Sequence, residues 1–123
     1  MTGGLNRSIL AGRLTADPVV RYTQKELAVT HFCLAINRGG SDKAEFINCV
    51  AWGGLAKVCG EFLKKGRLVA VEGRLQIRSY QDKKDQKKTS TEVVVDNMQM
   101  LDSKFYNAAK KAGTSTEQDL IEV

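Results

Sequence analysis

Residues 45–80 read EFINCVAWGGLAKVCGEFLKKGRLVAVEGRLQIRSY: a strand pattern, a helix pattern, then a second strand pattern. In Glu45 to Trp52, Phe46, Asn48, Val50 and Trp52 share one parity while Ile47, Cys49 and Ala51 share the other, so both faces are expected to be partly covered. From Leu55 to Lys65, the residues Leu55, Val58, Cys59, Phe62 and Leu63 recur as one apolar stripe, and Gly66, following Lys64 and Lys65, is expected to stop the helix. From Arg67 to Tyr80, Val69, Val71, Leu75 and Ile77 fall on one side, predicted to be core, and Arg74, Gln76, Arg78 and Tyr80 on the other.

Upstream, Leu27 to Asn37 alternates Phe32, Leu34 and Ile36 against His31, Cys33, Ala35 and Asn37, the period of a half-buried strand. Leu5 to Thr15 is compatible with another strand and runs into Asp17-Pro18, a pair that favours a turn. Downstream of the charged tip at residues 82–88, the β-branched run Thr89 to Leu101 returns as a fifth strand, giving a long hairpin. Five strands with one short helix between the third and fourth is the order of an OB-fold, a Greek-key barrel that commonly binds oligonucleotides. SH3-like and other small barrels give similar strand strings. Beyond residue 101 the periodicity disappears, so residues 1–101 are the expected domain and residues 102–123 a short, flexible tail.

A chain of 123 residues with 42% apolar content has room for one modest core. Its formal charge of +5 favours polyanions over acidic proteins. Residues 102–123 hold three Lys against four acids, so the excess positive charge lies in the domain. Cys33, Cys49 and Cys59 sit among apolar neighbours without a CxxC pair, and with a single His they supply no four-ligand zinc site. Buried, reduced thiols, the lack of a signal-like start and the lack of a membrane-length apolar run lead to the expectation of a cytoplasmic protein.

Unpaired strands offer flat bases and widely spaced phosphates, so a protein indifferent to sequence needs aromatic platforms alternating with cations. Phe46 and Trp52 share a parity, six residues apart, about 20 Å at the usual strand rise. They are either barrel core or platforms; Ile47, Cys49 and Ala51 can close the core without them, which favours platforms. Tyr80 ends the face that carries Arg74 and Arg78, whose guanidinium groups can reach phosphates or stack on bases. Lys83, Lys84, Lys87 and Lys88 extend this track at the hairpin tip, where charge also serves solubility. Arg38 and Lys43 flank Gly39-Gly40 as flexible phosphate contacts.

No catalytic set emerges. His31 has no nucleophile motif beside it, and Gly39-Gly40 and Gly53-Gly54 do not complete a phosphate loop ending in Lys-Ser/Thr. A metal-dependent nuclease or pyrophosphatase on the same barrel would need clustered carboxylates, whereas Glu45, Glu72, Glu92 and Asp96 are expected to lie dispersed. Neither a cofactor nor a metal is expected.

With these residues in place, the chain resembles the bacterial single-stranded DNA-binding protein family across residues 5–101. The matching stretches are LNRSILAGRLTADPVVRYT, VTHFCLAINR, FINCVAWGGLA, FLKKGRLVAVEGRLQIRSYQD and TEVVVDNMQML, in family order and spacing. The resemblance implies an OB-fold assembled as a homotetramer with DNA wrapped around it. It also implies base stacking at Phe46, Trp52 and Tyr80, and a dimer contact near Leu5 to Leu14. Two positions depart from the pattern: the loop after Arg38 reads Gly39-Gly40-Ser41 where relatives often carry another stacking aromatic, and Gly54 replaces a frequent Lys. The tail departs further, lacking a long Gly/Pro/Gln-rich linker and a Pro-Phe end. Its tip, Asp119, Leu120, Ile121, Glu122 and Val123, still offers carboxylates beside an apolar anchor, suited to docking partner proteins.

The expected function is therefore sequence-independent binding and protection of single-stranded DNA in replication, recombination, repair or DNA uptake, without catalysis. An adaptor that mainly recruits enzymes, with a weakened strand-binding face, is the alternative.

Overall fold

The computed structural model describes residues 3–40 and 42–102. The expected flexible tail and its tip at Asp119, Leu120, Ile121, Glu122 and Val123 lie outside the described residues, as does Ser41. In chain order the elements are β1 (Ser8–Leu14), β2 (Val19–Tyr22), β3 (Ala28–Asn37), β4 (Ala44–Trp52), α1 (Gly53–Phe62), β5 (Leu68–Gln81) and β6 (Lys87–Met100).

The strand order is β1-β5-β6-β4-β3-β2, and an additional β1–β3 pairing turns the sheet into a ring of β1, β5, β6, β4 and β3. The β4–β6 contact is parallel and short, running from Asn48↔Glu92 to Val50↔Val94, while the other pairings are antiparallel. This closed five-stranded ring, with one helix between its third and fourth members, is an OB-fold.

The ring closes because β1 and β2 divide one edge of β3. Val19–Tyr22 pairs with residues 28–31, and Arg13 and Leu14 pair with Ala35 and Leu34. Where β1 crosses β3, a Cβ on Gly12 would lie 2.5 Å from the Ala35 carbonyl oxygen, so a residue without a side chain is needed there. β2 is a sixth strand that the sequence did not signal: all four residues are exposed, so the run lacks an alternating apolar face.

The core is filled by Leu34, Val69, Val71, Cys49 and Ala51, on the faces read as able to close it, together with Val93 and neighbours. The helix closes one end through Ala56, Cys59 and Leu63, and the buried Thr30 hydroxyl donates to the Ala56 carbonyl at 2.6 Å. Burial pushes the Cys49 thiol up to about 12 and the Cys59 thiol up to about 11, so both stay protonated at neutral pH. Cys33 is only half-buried and faces outward.

Two expectations are corrected. The helix ends at Phe62, a turn before Lys65, with Leu63 already extended. Gly66 instead sits in the following turn at φ 88°, where its N–H donates to the Leu14 carbonyl at 2.8 Å. Leu75 and Ile77, expected in the core, are 46% and 68% exposed.

The second correction falls where β5 loses its β1 neighbour, next to a bulge in β6. The partner of β5 moves from Asn97 at Glu72 to Val95 at Gly73, so Asp96 is an extra residue with no register partner. A Cβ on Gly73 would collide with the Val94 carbonyl. Ser8↔Gly73 is the last β1–β5 pair, so beyond Gly73 the inward-parity residues of β5 are flanked by β6 alone and are left partly uncovered, although Val93 opposite Leu75 is still core. Leu34→Ala should therefore lower the unfolding free energy by about 2–5 kcal/mol. Ile77→Ala should change it by less than about 0.5 kcal/mol, as read by urea denaturation.

Candidate nucleic-acid interface

Residues directly opposite one another in a sheet share a face, so the register alone assembles the outer surface. On β4, Phe46, Asn48, Val50 and Trp52 stand opposite Ala35, Cys33, His31 and Val29 of β3. Asn48 and Val50 stand opposite Glu92 and Val94 of β6, and those opposite Gln76 and Arg74 of β5. Farther along the hairpin, Arg78 pairs with Ser90 and Tyr80 with Lys88 on the same side. One continuous face thus carries Phe46, Trp52, Arg74, Arg78, Tyr80 and Lys88.

The three aromatic candidates stand out from this face, Phe46 at 66%, Trp52 at 46% and Tyr80 at 50% exposure. Phe46 and Trp52 are not core. Val50, lying between them, is buried all the same, because it packs with Val29 and Val94 into a small apolar cluster on the outer side. Beside that cluster Trp52 and Arg74 line a hollow of about 500 Å³ with Leu55, Val94, Val95 and Asp96.

A second hollow, of about 410 Å³, opens along the middle of the face. Its lining includes His31, Cys33, Asn48, Arg78, Ser90 and Glu92.

The cations divide into two sets. Arg38 Nε lies 3.0 Å from Glu45 Oε1, Arg78 holds Glu92 at 3.2 Å, and Lys88 Nζ lies 3.5 Å from Asp82. Arg74, Lys83, Lys84 and Lys87 make no ion pair among the described residues. Lys43 is tied into the loop after β3, its carbonyl accepting the Arg38 N–H at 3.3 Å. Arg38 and Lys43 thus cap the β3–β4 connection rather than extending the main face.

Arg21 was missed by sequence reading. It stands opposite Val29, which stands opposite Trp52, so it adds an exposed cation to the same face. The signal was its shared parity with Val19, obscured because the run after Asp17-Pro18 reads as a turn. The carboxylates are also less dispersed than expected: Arg7 bridges Glu72 at 2.9 Å and the bulged Asp96 at 3.1 Å. Among the described residues no group of three or more His, Cys, Asp or Glu side chains could hold a metal ion. No described helix is long and apolar enough to cross a membrane.

The hairpin tip is built by one side chain. Asp82 accepts backbone N–H groups from Gln86 at 2.9 Å and Lys84 at 2.8 Å, and Asp85 takes the left-handed conformation at φ 60°.

A family model described as the single-strand binding protein family matches residues 5–101. The chain belongs to this family. Among curated relatives, single-stranded DNA-binding protein A of Bacillus subtilis is 47% identical over 105 residues, covering 81% of this chain and 61% of that protein. Single-stranded DNA-binding protein 2 of Listeria monocytogenes is 44% identical over 108 residues, covering 84% and 68%. A single-stranded DNA-binding protein of Streptococcus pyogenes is 43% identical over 117 residues, covering 91% and 69%. The chain therefore spans about 61–69% of the length of these family members.

The Gln86 and Lys84 amides, with Lys88 beside them, hold the Asp82 carboxyl below its ordinary value of 3.8. A depressed folded-state value means that the turn's support is fully present above the ordinary value and is lost as pH falls through the lower one. Amide exchange at Lys84 and Gln86 should stay slow down to that lower pH, and Asp82→Ala should abolish the protection at neutral pH while leaving barrel amides unaffected.

Proposed function

We propose that this chain binds single-stranded DNA whatever its sequence, stacking bases on Phe46, Trp52 and Tyr80 while cations hold the phosphates. Arg74, Arg21, Lys83, Lys84, Lys87 and Lys88 supply charge along the face. Arg38 and Lys43 extend the reach at the β3–β4 loop, and Arg78 works at its centre. The observation that carries this reading is that three aromatic rings stand exposed on one face that also bears Arg21, Arg74, Arg78 and Lys88.

Binding alone is the activity: strands are coated and protected during replication, recombination, repair or DNA uptake, in the cytoplasm, with no bond made or broken. Residues 1–101 form the binding domain. Residues 102–123 are a short tail whose acidic and apolar tip, Asp119 to Val123, docks replication or repair proteins.

The unit is a homotetramer. Leu5 and Ile9, at 93% and 75% exposure, give the outer surface apolar area suited to burial against other copies. Asn6 brings the N-terminal segment beside β5, donating to the Leu75 carbonyl at 2.8 Å and accepting its N–H at 2.9 Å.

Titration of labelled oligo-dT, read by anisotropy together with the mass of the free assembly, should give tight, steeply salt-sensitive binding to a tetramer. Trp52→Ala with Tyr80→Ala should weaken it by about 2–6 kcal/mol, with little change in the thermal transition. An unfolded double mutant would remove the stacking assignment, and marginal wild-type affinity would favour an adaptor. Deleting residues 117–123 should abolish pull-down of replication and repair proteins and leave dT binding intact; unchanged pull-downs would end the docking reading.

A further inference from the structure

Glu92 is the one buried charged side chain among the described residues, at 6% exposure, and it sits in the middle of the outer face between Asn48 on β4 and Gln76 on β5. Both its oxygens are engaged by one partner: Arg78 Nε lies 3.2 Å from Oε1 and Arg78 Nη2 lies 3.5 Å from Oε2. A carboxylate adds nothing to a surface that holds a polyanion, and removing it from water is unfavourable unless a cation is kept against it.

The other ion pairs on this side of the molecule differ. Arg38–Glu45 is exposed at both partners, and Lys88–Asp82 leaves its lysine open to solvent. A phosphate can displace an exposed carboxylate cheaply, because the released carboxylate returns to water. Glu92 has no water to return to, so it does not let Arg78 go.

Two of the five guanidinium N–H groups are thus taken by Glu92. The Arg78 side chain, 56% exposed, borders the central hollow with Asn48, Ser90 and His31, and its remaining N–H groups are not taken by Glu92. The hollow's other charged wall, Asp17, is itself occupied in accepting the Lys65 backbone N–H at 2.9 Å.

We propose that Glu92 is a positioning residue for strand binding: it cancels the charge of Arg78 towards phosphate and fixes the guanidinium as a flat, hydrogen-bonding plate for a base. This rests on the reading that the face binds single-stranded DNA. Affinity from Arg78 then comes without counterion release, whereas Arg74, Arg21 and the hairpin lysines set the salt dependence.

The test compares wild type, Glu92→Gln, Arg78→Gln and the double variant, measuring labelled oligo-dT affinity by anisotropy across a salt series, with thermal transitions alongside. Glu92→Gln should tighten binding roughly 3- to 10-fold at low salt and steepen the slope of log K against log salt by about 0.7, one added phosphate contact. The increment should vanish when Arg78→Gln is added. Arg78→Gln alone should weaken binding while moving the slope by less than about 0.3.

An unchanged or shallower slope in folded Glu92→Gln, or an increment that persists without Arg78, overturns the proposal. Should either single variant not fold, the double variant decides, and a slope shallower than that of wild type by about 0.7 overturns the proposal. Wild type that fails to bind dT overturns the binding reading and this proposal together; normal wild-type binding with the wrong slopes overturns this proposal only.

Discussion

A five-stranded barrel this small is filled by small and aliphatic side chains with a single ring among them, and that limit governs where the other rings go. Leu34, Val69, Val71, Val93, Cys49 and Ala51 fill the space, and Phe32 is the only aromatic among the described residues to be buried. Interiors pack at crystal-like density, so an additional ring on an inward position would force the barrel apart. Because side chains alternate along β4, putting Ile47, Cys49 and Ala51 inside obliges Phe46 and Trp52 to stand outside. The exposed rings are a consequence of how the core is closed, and no separate device is needed to expose them.

The bulge at Asp96 makes the second decision. Before it, Met98 and Met100 face Val71 and Val69 across the core side; after it, Val95 and Val93 do so opposite Gly73 and Leu75. One extra residue therefore lets side chains of both parities on β6 serve one core, which a strict alternation forbids. The same residue sends its carboxylate to Arg7, so the slip is tied down electrostatically rather than left as a loose kink. Beyond it the hairpin projects away from the barrel, carrying Arg78, Tyr80 and the lysines.

Much of this was legible in the sequence because period and parity are local. The parities of β3 and β4, the helix after Trp52 and the long hairpin could all be read directly. What escaped was non-local. β2 has no buried face, so nothing in Val19–Tyr22 distinguishes it from a turn, and Arg21 escaped with it. Leu75 and Ile77 obey the strand period perfectly well; only the end of the β1 pairing at Ser8↔Gly73, set by a strand more than sixty residues away, tells that their cover has ended. The helix ended early because Leu63 turns inward to cap the barrel in an extended conformation, and apolar spacing alone does not report that change of backbone.

Charge was the least legible layer, since a count of lysines and arginines does not say which of them a polyanion meets as cations. Arg74 and Arg78 are two steps of parity apart on one strand and look equivalent in sequence, yet one makes no ion pair among the described residues and the other is clamped by a buried carboxylate. The difference originates in β6, where Glu92 takes the outward position next to Val94 and lies under the hairpin. A buried acid can be retained on such a face only if it never parts from its cation, and a cation so held is fixed in orientation while contributing little net charge. Unpaired and clamped cations are therefore sorted along this surface by burial and not by composition.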